Sequence, residues 1–220
     1  MRPEVGADPA PADGAAAVSV PAWPLATAVA AVLAVDPAGL GGAVVRAPAG
    51  PVREGWLAAL RRLLPAGAPW RRLPLHVNDS RLLGGIDLAA TLTAGRPVAE
   101  RGLLAEADGG VLVLPMAERV SAATAARLTA VLDAGEVNVE RDGLALRSPA
   151  RFGVIAFDEG DADDDRPAAG LLDRLAFHLD LSGVSWREVA DADFGAQDIA
   201  AATKRLPRVM VPGLLLEALT

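Results

Sequence analysis

The sequence of 220 residues contains no cysteine and no tyrosine, and Lys204 is its only lysine. Without cysteine, the chain can form neither disulfide bonds nor thiolate metal sites. A phosphate-binding or Schiff-base lysine would have to be Lys204. The sequence also lacks an uninterrupted run of about 18 apolar residues, so we expect no membrane span. Residues 1–4 lack the basic and then apolar pattern of a secretory signal, and we expect a cytoplasmic protein.

Positive charge is also in short supply. The 21 lysine and arginine residues stand against 28 aspartate and glutamate residues, which gives a formal net charge of −7. A dedicated nucleic-acid-binding domain is normally basic, so this balance argues against that function. Hydrophobic residues make up 52% of the chain, which is enough for a sizeable core. We expect the four tryptophans to anchor that core, namely Trp23, Trp56, Trp70 and Trp186.

The sequence pattern divides the chain into three parts. Residues 1–20 are rich in proline, alanine and glycine and are predicted to form a flexible tail. Residues 21–190 alternate strand and helix patterns. Residues 191–220 predict a helix at 193–206 and a second helix that starts at Pro212 and is cut off by the end of the chain. We therefore expect the sequence to be a fragment of a longer protein.

The middle part predicts an α/β domain. Its predicted strands are 43–45, 73–77, 111–114, 154–156 and 177–181, and its predicted helices are 25–35, 54–64, 102–108, 121–133 and 171–175. Asp142-Gly143 inside the alternating segment 137–146 is a strong signal for a two-residue hairpin. Strands that alternate with helices favour a mostly parallel sheet.

The strand, turn and helix of residues 43–64 have the layout of a phosphate-binding P-loop, G-x-x-x-x-G-K-[ST]. In a working loop, the glycines let backbone N–H groups approach the phosphates, the lysine neutralises charge and the hydroxyl holds Mg²⁺. None of the four defining residues is present here. Alanine and valine replace the glycines, arginine replaces the lysine and glutamate replaces the hydroxyl residue; the degenerate loop comprises Ala47, Gly50, Val52, Arg53 and Glu54.

Several blocks along the chain resemble, in order and spacing, the AAA+ module of the magnesium chelatases. The similarity extends over residues 40–181, and its blocks are 82–88 (LLGGIDL), 95–98 (GRPV), 102–107 (GLLAEA), 109–114 (GGVLVL), 135–144 (GEVNVERDGL), 149–152 (PARF), 166–167 (RP) and 171–174 (LLDR). The resemblance implies an AAA+ P-loop-type parallel sheet flanked by helices, with β-hairpin insertions. Residues 21–190 would form one degenerate AAA+ domain, and residues 191–220 would begin a helical lid. The lost P-loop points to the D subunit, of the bacteriochlorophyll type, rather than to the ATPase I subunit.

A second degenerate motif agrees with this assignment. A Walker B motif is an apolar strand that ends in Asp-Glu, where the aspartate holds Mg²⁺ and the glutamate activates the attacking water. The strand 111–114 ends instead in Pro115 and Met116, which can do neither. The polar residue that positions this water in the family falls near Asp158 or Glu159, and a carboxylate is a poor substitute for an amide there.

One part of the family's hydrolytic machinery is present. The arginine of the Leu-Leu-Asp-Arg block is the family's arginine finger, which reaches the nucleotide of the neighbouring subunit. Arg174 matches it, although the block is offset by about two residues, within 166–171, from the pattern of the ATPase subunit. A guanidinium supplied by a neighbour stabilises charge on the γ-phosphate. The alternative for Arg174 is a local salt bridge to Asp173 or Asp180.

Metal sites have less support in the sequence. His76 and His178 are far apart, and no cysteine accompanies them, so we expect no metal site there. The acidic run of Asp161 and residues 163–165 is predicted to be a hydrated loop, with Mg²⁺ binding as its alternative.

The resemblance implies a non-hydrolysing subunit of the ATP-dependent magnesium chelatase, which inserts Mg²⁺ into protoporphyrin IX in (bacterio)chlorophyll biosynthesis. The chain would assemble with the I-subunit ATPase ring, while the H subunit would bind the porphyrin. We expect no cofactor bound by this chain, although the complex uses ATP and Mg²⁺. Two alternatives stay open: an ATPase active on its own with Arg53 in place of lysine, and a MoxR-like assembly chaperone module.

Overall fold

A computed structural model describes residues 22–141, 144–161, 165–190 and 193–209. The helices of these residues are α1 Ala22–Val35, α2 Pro51–Leu63, α3 Asp79–Leu83, α4 Leu88–Ala94, α5 Leu103–Glu106, α6 Ala122–Ala134, α7 Ala169–Leu172 and α8 Ala196–Arg205. The strands are β1 Gly42–Arg46, β2 Trp70–Arg72, β3 Gly84–Ile86, β4 Ala99–Arg101, β5 Val111–Leu114, β6 Glu136–Arg141, β7 Leu144–Pro149, β8 Gly153–Asp158 and β9 Phe177–Asp180. None of the described helices is both long enough and apolar enough to cross a membrane.

The centre of the described fold is a parallel sheet of five strands in the order β2-β5-β8-β1-β9. Its register places Val44 of β1 between Ala156 of β8 and His178 of β9. β5 and β8 are buried along their whole length, which is usual for a parallel sheet covered on both faces. The sheet confirms the predicted α/β class.

Successive residues of the central strands point into two different hydrophobic layers, because side chains alternate along a strand. On one face, Val45 and Ile155 pack in a layer with residues of α1 and α2. On the other face, Val44 and Leu112 pack in a layer with residues of α5, α6 and α7. The two layers hold the helices against the sheet and so position the loops that follow each strand.

Several predicted elements differ from the observed ones at their ends, and two of these differences have a reason in the position of a proline. The predicted strand 73–77 is wrong, since β2 ends before it and Leu73 adds only one further bond, from its N–H to the Val113 carbonyl at 2.9 Å. Pro74 has no N–H with which to continue the ladder. Helix α2 begins at Pro51, earlier than the predicted helix 54–64, because proline suits the first helical position.

The expectation that the tryptophans anchor the core is confirmed for Trp23 and Trp56, which are 4% and 0% exposed. The indole Nε1 of Trp56 donates to the Ala26 carbonyl at 2.7 Å and thereby links α2 to α1. Trp70 is half-buried. The expectation is wrong for Trp186, which is 62% exposed because it lies in a 3₁₀ turn at the surface.

Two antiparallel strand pairs are inserted between elements of the central sheet: β3 pairs with β4, and β6 pairs with β7. The hairpin predicted within 137–146 is confirmed by the second pair, in which Val139 lies opposite Leu146. Its turn at Asp142-Gly143 lies outside the described residues. These pairs agree with the β-hairpin insertions implied by the resemblance.

The helix predicted at 193–206 corresponds to α8. Ile199 of this helix is buried in the layer that contains α1, and Thr203 Oγ1 donates to the Val35 carbonyl at 3.1 Å. The predicted tail at 1–20 and the helix predicted from Pro212 lie outside the described residues. The division into an AAA+ domain at 21–190 and a lid from residue 191 stays a prediction.

Candidate functional site

The predicted P-loop segment connects β1 to α2 at the carboxyl end of the sheet. Ala47 is buried, and α2 starts at Pro51 without a side-chain cap from Gly50. The N–H of Glu54 donates to the Gly50 carbonyl at 3.1 Å within the first helical turn. Pro48 and Pro51 have no N–H. The segment keeps the strand, turn and helix of a P-loop but has lost backbone donors that would cradle a phosphate.

Arg53, at the position of the P-loop lysine, forms an ion pair within the chain. Its Nη1 lies 2.7 Å from Glu159 Oε1, and its guanidinium carbon lies 5.0 Å from the centre of the Phe157 ring. The Arg53 side chain is only 12% exposed, and its Nε is 3.7 Å from Glu54. The neighbouring Val52 packs against the hydrophobic layer of α1 and α2. A carboxylate therefore already neutralises the charge that would meet a phosphate.

Glu159 joins three positions that are distant in the sequence. Its Oε1 also accepts from the N–H of Met116 at 3.4 Å, so the residue after β8 meets the residues after β5. Pro115 is buried, and Met116 has a φ of 46°, a left-handed conformation uncommon outside glycine. The N–H of Glu159 donates to Glu118 Oε2 at 3.1 Å. The structure thus brings Arg53, Met116 and Glu159 together, and these are positions that the resemblance assigns to the nucleotide site.

Glu118 is a member of this network that sequence reasoning missed. Its side chain is 2% exposed, although glutamate is normally at the surface. The signal in the sequence is weak: a lone acidic residue two positions after Met116. Only its burial beside the Glu159 backbone shows that it belongs to the site.

Asp158, the other residue predicted near this position, contacts different cations. It is 3% exposed, and its Oδ2 accepts from Arg46 Nη1 at 3.2 Å and from Arg166 Nη1 at 2.7 Å. These side chains border a cavity of about 280 Å³ at the ends of β1, β8 and β9, next to His178 and Asp180. Arg46 and Arg166 are absent from the predicted site. The position of Arg46 could have been predicted from the sequence. Arg46 ends β1 and Asp158 ends β8, and the carboxyl ends of neighbouring parallel strands meet at one edge of a sheet.

Arg174 follows α7 and precedes β9. Its Nε and Nη2 donate to the two carboxylate oxygens of Asp133 at 2.9 and 2.8 Å, and its Nη1 donates to the Gly170 carbonyl at 2.9 Å. The alternative of a salt bridge within the chain is met, but its acidic partner is Asp133 of α6 and not Asp173 or Asp180. The side chain remains 35% exposed.

The Arg174–Asp133 pair stands at the amino end of the sheet, opposite to Arg53. Close to it, the N–H of Ala176 donates to the Leu40 carbonyl at 3.1 Å, just before β1 begins. The hydrogen bonds from Arg174 hold the pKa of Asp133 below its ordinary value, against the opposing effect of desolvation. The stabilisation is therefore present above the ordinary carboxyl pKa and is lost as the pH falls through the lowered one.

The sequence of this chain is similar to sequences of known proteins. No protein-family model matches it. It is 42% identical over 190 residues to the magnesium-chelatase 60 kDa subunit of Cereibacter sphaeroides, and 35% identical over 153 residues to the magnesium-chelatase 67 kDa subunit of Chlorobaculum parvum. The alignments cover 86% and 70% of this chain. The chain is a homologue of these magnesium-chelatase subunits. It spans only 30% and 24% of their lengths.

A solved structure agrees with the sequence relatives. With a TM-score of 0.56 and 26% identity, the chain is similar to a chain of the complex between subunits BchI and BchD of magnesium chelatase. The similarity covers 88% of this chain and 78% of that one. Identity to the magnesium-chelatase 38 kDa subunit of Cereibacter sphaeroides is lower, at 30% over 167 residues. The α/β AAA+ fold inferred from the sequence is confirmed.

Among the described residues, the structure does not bring the candidate metal ligands together. Within the described ranges, no group of three or more histidine, aspartate or glutamate side chains is arranged to hold a metal ion. His76 and His178 are both exposed. Asp163 and Asp164 of the acidic run lie outside the described residues.

We expect the Arg53–Glu159 ion pair to contribute to the stability of the fold. Glu159→Gln is expected to lower the free energy of unfolding by about 2 kcal/mol, because it leaves the largely buried Arg53 without its carboxylate. Urea unfolding followed by tryptophan fluorescence measures the change. The matched control is Glu136→Gln, which weakens an exposed pair with Arg147 at 2.6 Å and should have a much smaller effect. Equal effects of the two variants would contradict a structural role for the Arg53–Glu159 pair.

Proposed function

We propose that this chain is a non-hydrolysing AAA+ unit of a magnesium chelatase, the ATP-dependent ligase that inserts Mg²⁺ into protoporphyrin IX on the route to (bacterio)chlorophyll. It assembles with the I subunit, which hydrolyses ATP in a ring, while the H subunit binds the porphyrin. The complex works in the cytoplasm. Homology to the 60 and 67 kDa subunits supports the proposal.

The observation that carries the proposal is the internal ion pair of Arg53. Its guanidinium is 2.7 Å from Glu159, and the Glu159 carboxylate also accepts from the Met116 N–H. A γ-phosphate placed beside Arg53 would meet this carboxylate and be repelled by it. Pro115 and Met116 replace the Asp-Glu pair of a Walker B motif, so neither position has a carboxylate to hold Mg²⁺ or to activate water. The chain therefore binds no nucleotide cofactor of its own, and ATP and Mg²⁺ are bound by its partner.

Arg174 supplies the chemistry that this chain contributes to hydrolysis. It stands at the end of the sheet opposite to the degenerate site, where it can face the nucleotide of a neighbouring subunit in a ring. A guanidinium at that place stabilises the charge that spreads over the γ-phosphate in the transition state. It is a catalytic residue in trans, whereas Arg53 is a structural remnant of a nucleotide site.

The experiment that tests the proposal mixes the full chain with the I subunit in the presence of ATP and Mg²⁺. The I subunit used is the 38 kDa magnesium-chelatase subunit of Cereibacter sphaeroides. Sedimentation velocity should show an assembly larger than either component at micromolar concentration. The chain alone should not hydrolyse ATP, and the mixture should hydrolyse it at a rate different from that of the I subunit alone. Absence of association at micromolar concentration would overturn the proposal.

The same experiment separates the alternatives. ATP turnover by the chain alone that disappears in Arg53→Ala would establish an ATPase with a variant loop. Failure to bind the I subunit is the result that a MoxR-like assembly module would give. The pairing of Arg53 with Glu159 disfavours the first of these, because the largely buried Arg53 leaves little room for a phosphate beside the Glu159 carboxylate.

A further inference from the structure

The guanidinium of Arg174 is held from two sides. Both carboxylate oxygens of Asp133 accept from it, and the Gly170 carbonyl accepts from its Nη1. Arginine has five N–H donors, so these contacts with described residues use three of them and leave one on Nη1 and one on Nη2. The side chain is 35% exposed and lines a surface cavity, so part of it is accessible to an acceptor from outside the chain.

Asp133 stands on a firmly anchored element. It is near the end of α6, whose residues Leu128 and Val131 are buried, and the helix ends in a left-handed turn at Gly135 with a φ of 67°. Arg174 instead follows α7, a helix of four residues. The backbone that carries the carboxylate is therefore held by the core, and two parallel hydrogen bonds from the carboxylate fix the plane of the guanidinium.

The pair is open to a neighbouring molecule on both sides. A cavity of about 390 Å³ adjoins Asp133 next to Asp36 and Arg151, and another of about 310 Å³ adjoins it next to Asp173 and Arg174. The two cavities meet at Asp133 and together form a recess that no described residue fills. An incoming subunit can thus approach the guanidinium while the Asp133 contact is kept.

We infer that Asp133 is a positioning residue, which orients Arg174 before the neighbouring subunit docks. The inference rests on the proposed function, in which Arg174 reaches the neighbour's ATP. A free arginine side chain loses rotamer freedom when it engages the γ-phosphate in the transition state, and one that is already oriented loses less. The orientation therefore acts on the rate of hydrolysis and not on the docking of the subunit. A pair at the surface contributes little to folding stability, so the role of Asp133 is separable from the stability of the fold.

The test is the ATPase activity of the I subunit titrated with the full chain. We expect Asp133→Asn to reduce the maximal effect on hydrolysis about 2- to 10-fold and to leave the half-maximal concentration unchanged. Asp133→Glu, which keeps the carboxylate, should restore most of the effect. The matched control is Asp36→Asn in the same recess, which should behave as wild type because Asp36 accepts from the Gly39 N–H rather than from Arg174.

A spectroscopic readout separates positioning from structure. The Nε–H resonance of Arg174, assigned by its loss in Arg174→Ala, should move to the position of a free arginine in Asp133→Asn. If Arg174→Ala lowers hydrolysis but Asp133→Asn does not, the inference is overturned and the proposed function stands. If Arg174→Ala leaves the rate unchanged, the proposed function itself fails. A large loss of unfolding stability in Asp133→Asn would also overturn the positioning role.

Discussion

Replacing Arg174 with alanine is expected to abolish the effect of this chain on ATP hydrolysis by the I subunit. At sites where the neighbour's γ-phosphate faces this chain, hydrolysis should slow by about 10³-fold or more, the contribution of arginine fingers supplied in trans. The physical reason is that a fixed positive charge stabilises the transition state more than the ground state. Steady-state ATPase assays at saturating concentrations of the chain measure the loss.

Arg127→Ala is the matched control for this prediction. Arg127 is 36% exposed against 35% for Arg174, it also lies 2.8 Å from an aspartate oxygen, here of Asp79, and it is on α6. Its replacement should leave hydrolysis unchanged. Equal losses in the two variants would indicate a general effect of surface charge. Arg174→Lys should also fail, because an ammonium group cannot engage Asp133 with two parallel bonds and still offer planar donors.

Trp56→Ala is expected to lower the free energy of unfolding by about 3–5 kcal/mol. The side chain is 0% exposed, and its Nε1 donates to the Ala26 carbonyl at 2.7 Å. Its removal leaves a cavity between α1 and α2 and breaks the hydrogen bond that links the two helices. The melting temperature should fall by roughly 10 °C, as measured by calorimetry.

Trp186→Ala is the control for the core prediction. It removes the same side chain from a surface turn where it is 62% exposed, so the melting temperature should change little. Comparable destabilisation by the two substitutions would contradict the assignment of Trp56 to the core and Trp186 to the surface.

Part of the fold was predictable because local pattern and tertiary packing agree. Segment 111–114 is apolar at every position, and it forms β5, which is buried on both faces. Ser121 precedes a helical pattern and caps α6, with its Oγ accepting from the Thr124 N–H at 3.1 Å. The strand predicted at 73–77 failed because apolar composition does not show where the neighbouring strand stops offering hydrogen bonds.

The candidate site was predictable at its motif positions, Glu159 among them, and not at the partners that no motif prescribes. Arg53, Pro115 and Met116 were identified because a P-loop and a Walker B motif prescribe residue types at a fixed spacing. Asp133 and Glu118 follow no such rule. They were found only because the chain places them against Arg174 and against the backbone of Glu159.

The sequence by itself determined what this protein lacks: the P-loop lysine, the glycines and the Walker B carboxylates, since each is a matter of residue identity. Only the tertiary structure decided what takes their place. Arg53 and Glu159 are separated by 106 residues, and Arg174 and Asp133 by 41. Ion pairs at such separations depend on which elements become neighbours. Arg53 meets Glu159 because β1 and β8 are adjacent in the sheet, and Arg174 meets Asp133 because α6 and α7 pack in the same layer.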